Sequence, residues 1–156
     1  SPFVKPVSVS AKAVIVRDGH ILVLMHRDDD GLYYTLPGGG QEYEEPLHDA
    51  LRRECMEEIS IAVEPGALLF VRDYIGSNHE FASEEHNTHQ IELMFECAIA
   101  PDAEPRAGEI PDDYQIGIAW LALASLDEHR LYPKALIPIL MGGPSYAGPI
   151  YLGDVN

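Results

Sequence analysis

The chain has 156 residues, 46% of them apolar, which suits one domain able to bury a proper core. It carries 10 basic and 26 acidic residues, giving a formal net charge of −16. Such a field repels DNA, RNA and anionic membranes and excludes a general nucleic-acid binder, and an anionic small substrate would need local cations to approach.

Residues 7–16 (VSVSAKAVIV) are rich in β-branched side chains and alternate at first, so they read as a strand. Asp18-Gly19 predicts a turn, and residues 21–25 the second arm of a hairpin. Residues 26–31 (HRDDDG) read as a polar loop, and residues 32–36 as a short strand running into a glycine turn. A helix is predicted over residues 46–59, then strands over 61–63 and 67–75, with Pro65-Gly66 as punctuation between them.

Residues 76–88 (GSNHEFASEEHNT) form a polar loop long enough to suggest a role facing substrate. Its histidines and acids, His79, Glu80, Glu84, Glu85 and His86, lack the cysteines and regular spacing of a zinc site. Residues 90–100 read as a central strand, 101–113 as a second surface loop rich in proline and acid, and 116–123 as the last strand, with Trp120 as a core anchor. Residues 124–131 and 134–141 predict closing helices broken at Pro133. The tail from 142 to 156 keeps Tyr146, Ile150, Tyr151 and Leu152, and returns along the body or docks on a second copy as a homodimer contact.

No repeat or linker divides the chain, so residues 1–156 are expected to form a single domain. Two cysteines, Cys55 and Cys97, on a helix and a strand, argue against a disulfide framework and suit a reducing cytoplasm. The longest apolar run, residues 116–126, is interrupted by Gly117 and Ser125, and the start of the chain does not read as a signal peptide.

The most informative stretch is residues 36–61, LPGGGQEYEEPLHDALRRECMEEISI. Pro46 suits a first helical position, and Glu42, Glu44 and Glu45 sit where the positive end of the helix dipole favours them. Leu47, Ala50, Leu51, Cys55 and Ile59 recur at helical spacing. At about 100° per residue, Glu54, Glu58 and Glu57 fall at about −20°, +20° and −80° from Leu47, continuing the face that is apolar one turn earlier. Asp49, Arg52 and Met56 take the opposite, wet side. Two like charges about 6 Å apart at an effective dielectric near 20 repel by roughly 3 kcal/mol, so three inward carboxylates call for protons or cations. Arg53 can offset only part of this, and a hard divalent ion with oxygen ligands, Mg²⁺ or Mn²⁺, is the simplest answer.

Gly39, five residues, Glu45, seven residues and then Arg53-Glu54-Cys55-Met56-Glu57-Glu58-Ile59-Ser60-Ile61 resemble the Nudix box, G-x5-E-x7-REUxEExGU with U apolar, and Leu36-Pro37-Gly38 resembles the usual run into it. Two positions depart: Ser60 stands where the family has glycine just after the helix, and Glu44 where many members have a loop glycine. The resemblance implies an α/β/α sandwich with a mixed β-sheet, and a divalent-metal-dependent pyrophosphohydrolase acting on a diphosphate bond in a nucleoside diphosphate linked to another moiety. It implies Glu54, Glu57 and Glu58, with Gly39, as the metal set for Mg²⁺ or Mn²⁺, and Arg53 as the residue that orients the carboxylates. Arg27 and Glu42 become candidates for substrate binding, although Arg27 equally suits a surface pair with Asp28 to Asp30. The general base stays open among Glu54, Glu84, Glu85, Asp112, Asp113 and Gln115. The expected partner is a small nucleoside diphosphate derivative, with neither nucleic acid nor membrane. A non-catalytic nucleotide-binding module and a cation-buffering acidic protein are the competing readings, and the intact charged positions of the box argue against both.

Overall fold

In the computed structural model, residues 5–109 and 115–156 are described. Strand β1 (Ser8–Val14) is covered on both faces, which its small Ser10, Ala11 and Ala13 permit, and it forms the spine of the first sheet. It runs parallel to β7 (His89–Ala98) and antiparallel to β5 (Gly38–Gly40). On the far side of β7 lie β6 (Glu64–Ile75), antiparallel to it, and β10 (Tyr151–Asp154), parallel to β6, so this five-stranded sheet is mixed. A second sheet is ordered β2 (Val16–Arg17), β3 (His20–Asp28), β4 (Gly31–Thr35), β9 (Leu131–Tyr132), with β8 (Gln115–Ala122) also pairing with β3.

Helix α1 (Leu47–Ile59) buries Ala50, Leu51, Cys55 and Ile59, and the last three join Ala11, Ala13, Ile15 and Phe95 in one core cluster. A second cluster joins Ile21, Val23, Phe70 and Met94 to Leu126 of the 3-10 helix Leu123–Glu128 and to Leu136 of α3 (Leu136–Met141). Helices thus flank the sheets, and the architecture is an α/β/α sandwich with a mixed sheet. Trp120 is half-buried against the first cluster, with the Arg17 guanidinium 4.7 Å from its ring. Both cysteines are buried and unbridged. Among the described residues no helix is long and apolar enough to cross a membrane.

Several local expectations are corrected. The hairpin is confined to Val16 and Arg17 against His20 and Ile21, because β1 itself pairs in the other sheet. His26, Arg27 and Asp28 belong to β3 rather than to a loop; their pairing with Tyr33, Leu32 and Gly31 leaves only Asp29 and Asp30 to turn the chain. Ile61 and Val63 are buried without forming a strand, and Pro65-Gly66 lies inside β6, where the register with β7 slips. The stretch 76–88 holds a 3-10 turn (Gly76–Asn78) and the short helix α2 (Ala82–Glu85). Residues 124–131 give a 3-10 helix and β9 instead of an α-helix. The tail returns along the body: β10 adds to the edge of β6, and the Val71 N–H donates to the Ile150 carbonyl at 2.9 Å.

Candidate active site

Helix α1 begins one residue later than predicted. Pro46 is its N-cap in an extended conformation (φ −62, ψ 151), and its carbonyl accepts the Ala50 N–H at 3.0 Å. At the other end Ser60 is left-handed (φ 60, ψ 27), and Glu44 in the preceding loop also has φ 64. Both departures from the glycine pattern therefore fall where the backbone asks for glycine. The last carbonyls of α1 are capped from outside: the Gly108 and Arg106 N–H groups donate to Glu58 O and Ile59 O, each at 2.9 Å.

A cleft of about 320 Å³ opens where the two sheets meet the C-terminal half of this helix. Glu54, Glu57 and Glu58 line it together with Gly38, Gly39 and Gly40. The first sheet contributes Ser10, Lys12 and Gln90, and the second contributes Leu24, His26, Thr35 and Gln115. The expected wet side of α1 is also found, with Asp49 exposed, Met56 51% exposed and Arg52 paired to Asp49 and Glu64.

Each carboxylate is held differently. The side chain of Glu54 is only 20% exposed and lies directly over Gly39, where an added Cβ would come within 2.5 Å of its carboxyl carbon. Glu58 Oε1 accepts the Gly38 N–H at 2.7 Å. Glu57 lies at the rim, its side chain 61% exposed and 3.8 Å from Arg53. Among the described residues no three histidine, cysteine or acidic side chains converge in the spacing of a ready metal site. The donor set nevertheless suits a hard cation: three carboxylates line one cleft, and Gly39 leaves the space Glu54 fills.

Arg53 lies behind this wall and ties it together. Its Nε and Nη2 donate to both oxygens of Glu45 at 2.8 and 2.9 Å, Nη1 donates to Glu54 Oε1 at 2.9 Å, and Nη2 donates to the Gly40 carbonyl at 3.0 Å. The guanidinium holds the Glu45 carboxyl down to about 2, helped by the Glu42 N–H, and its own pKa is raised in return, chiefly by Glu45. Sequence places Glu45 at the positive end of the helix dipole and in the box pattern but not against Arg53; its fixed spacing from Arg53 in the box is the signal for that pairing.

The other predicted positions separate. Gln115 lines the cleft, but an amide cannot act as a base. Arg27 is exposed and off the cleft; its neighbour His26 occupies the wall instead, and Asp28 pairs with Arg130 at 3.0 and 2.8 Å rather than with Arg27. Glu42 is exposed, 3.8 Å from Arg53, and also off the cleft. Glu84 and Glu85 sit on α2 away from the cleft; Glu84 accepts from Ser83, and burial raises the pKa of Glu85. Asp112 and Asp113 lie outside the described residues. His79 and His89 are turned to Asp154 and Asp73 at 2.7 and 2.8 Å, which accounts for them without zinc.

Apart from Gln115 and the glycine turn, sequence reasoning missed the strand residues of the cleft. Lys12 stands out afterwards as a charge inside an otherwise apolar AKAVIV run. His26, whose Nε2 meets Thr35 Oγ1 at 2.7 Å and whose ring stacks on Tyr33 at 4.8 Å, was hidden in a stretch that reads as loop.

A family model described as NUDIX domain matches residues 5–139. Among solved structures, a MutT NUDIX hydrolase from Burkholderia pseudomallei is 30% identical, with a TM-score of 0.64 over 88% of this chain and 97% of that one. A MutT protein from Methanosarcina mazei Go1 (21% identity, TM-score 0.66, 87% and 91% covered) shares the fold, as does an ADP-ribose pyrophosphatase from Streptococcus suis 89-1591 (16%, 0.60, 96% and 100%). No curated protein matches the chain significantly. With its box carboxylates and glycine turn lining one cleft and the domain model spanning most of its length, the chain belongs to the NUDIX family, as a Nudix-type pyrophosphohydrolase.

Proposed function

We propose that this cleft hydrolyses a diphosphate bond in a nucleoside diphosphate linked to another moiety, with Mg²⁺ or Mn²⁺ held by Glu54, Glu57 and Glu58 and by the backbone at Gly39. The observation that carries this reading is that the three box carboxylates line one cleft beside the glycine turn while Arg53 fixes Glu54 from behind. A divalent cation bound there supplies an acidified water and compensates the charge of the phosphates.

The chain's own groups do the rest. Arg53 and Gly39 set where Glu54 points, the Gly38 N–H holds Glu58, and the exposed Glu57 is the carboxylate with freedom to swing inward. Glu54 is the one carboxylate among the base candidates in the described residues that lines the cleft, and Asp112 and Asp113 complete the set to be tested; Glu84 and Glu85 are disfavoured by position and Gln115, which also lines the cleft, by its chemistry.

The test is a screen of purified protein with Mg²⁺ and Mn²⁺ against ADP-ribose, nucleoside triphosphates, dinucleoside polyphosphates and sugar nucleotides, scored by phosphate or pyrophosphate release. The Streptococcus suis neighbour's name makes ADP-ribose a natural first compound. Glu57→Gln and Glu58→Gln are expected to abolish metal-dependent turnover while circular dichroism stays unchanged. Activity retained by both variants removes these side chains from the mechanism.

A further inference from the structure

We propose that Lys12 is the substrate-facing cation of this cleft, its ammonium taking a phosphate oxygen of the bound diphosphate. The inference rests on the diphosphate reading above and assigns it a residue outside the Nudix box. Among the described residues lining the cleft, Lys12 is the single lysine or arginine, set against Glu54, Glu57 and Glu58. In a chain with 26 acids and 10 bases, a cation retained at that place calls for a reason.

The geometry supplies one. Lys12 lies on β1, an interior strand of the first sheet between β7 and β5, is half-buried, and shares a face of β1 with Ser10, which also lines the cleft. Its Nζ donates to the Gly38 carbonyl at 3.2 Å, and it makes no ion pair among the described residues. The nearby carboxylates are engaged elsewhere: Glu54 accepts from Arg53 at 2.9 Å, and Glu58 from the Gly38 N–H at 2.7 Å. An ammonium has three donors, so one long bond to a neutral carbonyl leaves two for a ligand.

Arg27 and Arg106 are exposed and do not line the cleft, while Arg53 is spread over Glu45, Glu54 and the Gly40 carbonyl, Arg130 is bidentate on Asp28, and Lys134 is paired with Glu80 at 2.6 Å. A diphosphate entering between three carboxylates meets repulsion that a metal offsets on the helix side. Lys12 offers the complementary charge from the sheet side, at the glycine turn.

Lys12→Met keeps the stem and removes the charge; Lys12→Gln keeps a donor for the Gly38 carbonyl but no charge. Calorimetry with Mg²⁺ and the non-hydrolysable probe methylenediphosphonate, alongside KM and kcat on whichever substrate the wild type turns over, separates the roles. Loss of one charge-assisted hydrogen bond predicts probe binding weakened, and KM raised, by about 10- to 100-fold in both variants, with Mg²⁺ affinity undiminished. Normal probe binding by folded Lys12→Gln overturns the proposal, and so does weakening that tracks a loss of Mg²⁺ binding. If Lys12→Met does not fold, Lys12→Gln decides alone by the same readout. A wild-type protein that binds the probe through Lys12 but hydrolyses no diphosphate defeats the enzymatic reading and leaves this assignment standing.

Discussion

Replacing Gly39 by alanine should disable the site while sparing the fold. Gly39 has an ordinary backbone conformation, absent from the positive-φ positions, so alanine brings no backbone strain of its own. Its Cβ, however, would lie 2.5 Å from the Glu54 carboxyl carbon and 2.6 and 2.9 Å from its oxygens. Unbonded carbons rest about 3.5–4.0 Å apart, so the carboxyl must retreat by about 1 Å or more. Because it is the far end of a flexible side chain, the structural cost is an altered rotamer plus part of one partly exposed contact to Arg53, about 1–2 kcal/mol together. For a domain of this size that lowers Tm by about 2–6 °C.

The functional cost is larger. Mg²⁺ tolerates little departure from octahedral geometry at about 2.0–2.1 Å, and a misplacement of about 1 Å at a reacting centre costs on the order of 100-fold in rate. Gly38→Ala is the contrast. There φ is +129, and the new Cβ would meet the Ala11 carbonyl oxygen at 2.1 Å and Lys12 Cα at 2.8 Å, which are backbone atoms that cannot step aside. Thermal melts without metal, calorimetric Mg²⁺ titration and kcat on the best substrate should show Gly39→Ala folded and nearly inactive, and Gly38→Ala failing to fold. Full activity in Gly39→Ala, or collapse equal to that of Gly38→Ala, refutes the reasoning.

Two further outcomes follow from the same loop and helix. The Glu45 carboxyl is depressed from 4.5 to about 2 by Arg53, so what it contributes to stability is fully present above about pH 4.5 and is lost as the pH falls towards 2. Glu45→Gln should therefore flatten the acid limb of a series of melts against pH, and an unchanged limb would show that the pair adds nothing. At Ser60, held at φ 60, glycine relieves a left-handed strain of about 1 kcal/mol but frees the unfolded chain, so Ser60→Gly should change stability by under about 1 kcal/mol. The β-branched Ser60→Val should destabilise by about 1–2 kcal/mol in urea unfolding, and equal stability of the two would put the left-handed backbone in question.

What was legible in the sequence follows from the range of the forces involved. Helix α1, its buried stripe of Ala50, Leu51, Cys55 and Ile59, and the gathering of Glu54 and Glu58 on the inward side all come from local periodicity, and all are present. Glu57, expected to turn inward with them, lines the cleft but stands at its rim with its side chain 61% exposed, because it lies at the edge of that arc. The strand pairing was not legible, because register depends on partners far along the chain: β1 meets β7 some eighty residues away, so an adjacent hairpin looked cheaper than the sheet that forms. The same limit hid the cleft's second wall. Lys12, His26, Thr35 and Gln90 converge only once both sheets exist, whereas the acids of loop 76–88 are conspicuous in sequence yet turn elsewhere.

The local preferences that lose do so together. Glu54, Glu57 and Glu58 occupy the last turns of α1, at the negative end of its dipole, and no basic residue stands in the final turn to offset them. Ser60 and Glu44 hold left-handed backbone without being glycine. The carbonyls of Glu58 and Ile59 at the helix end accept from the loop N–H groups of Gly108 and Arg106, and Gly108 is itself confined, since a Cβ there would lie 2.0 Å from the Glu57 carbonyl oxygen. A stretch selected for stability alone would not collect these costs within one turn of helix and its flanking loops. Their meeting point is the wall of the cleft, where the proposed divalent cation would relieve both the carboxylate repulsion and the dipole at once, so that ion binding there would raise the stability of the chain as well as equip it for hydrolysis.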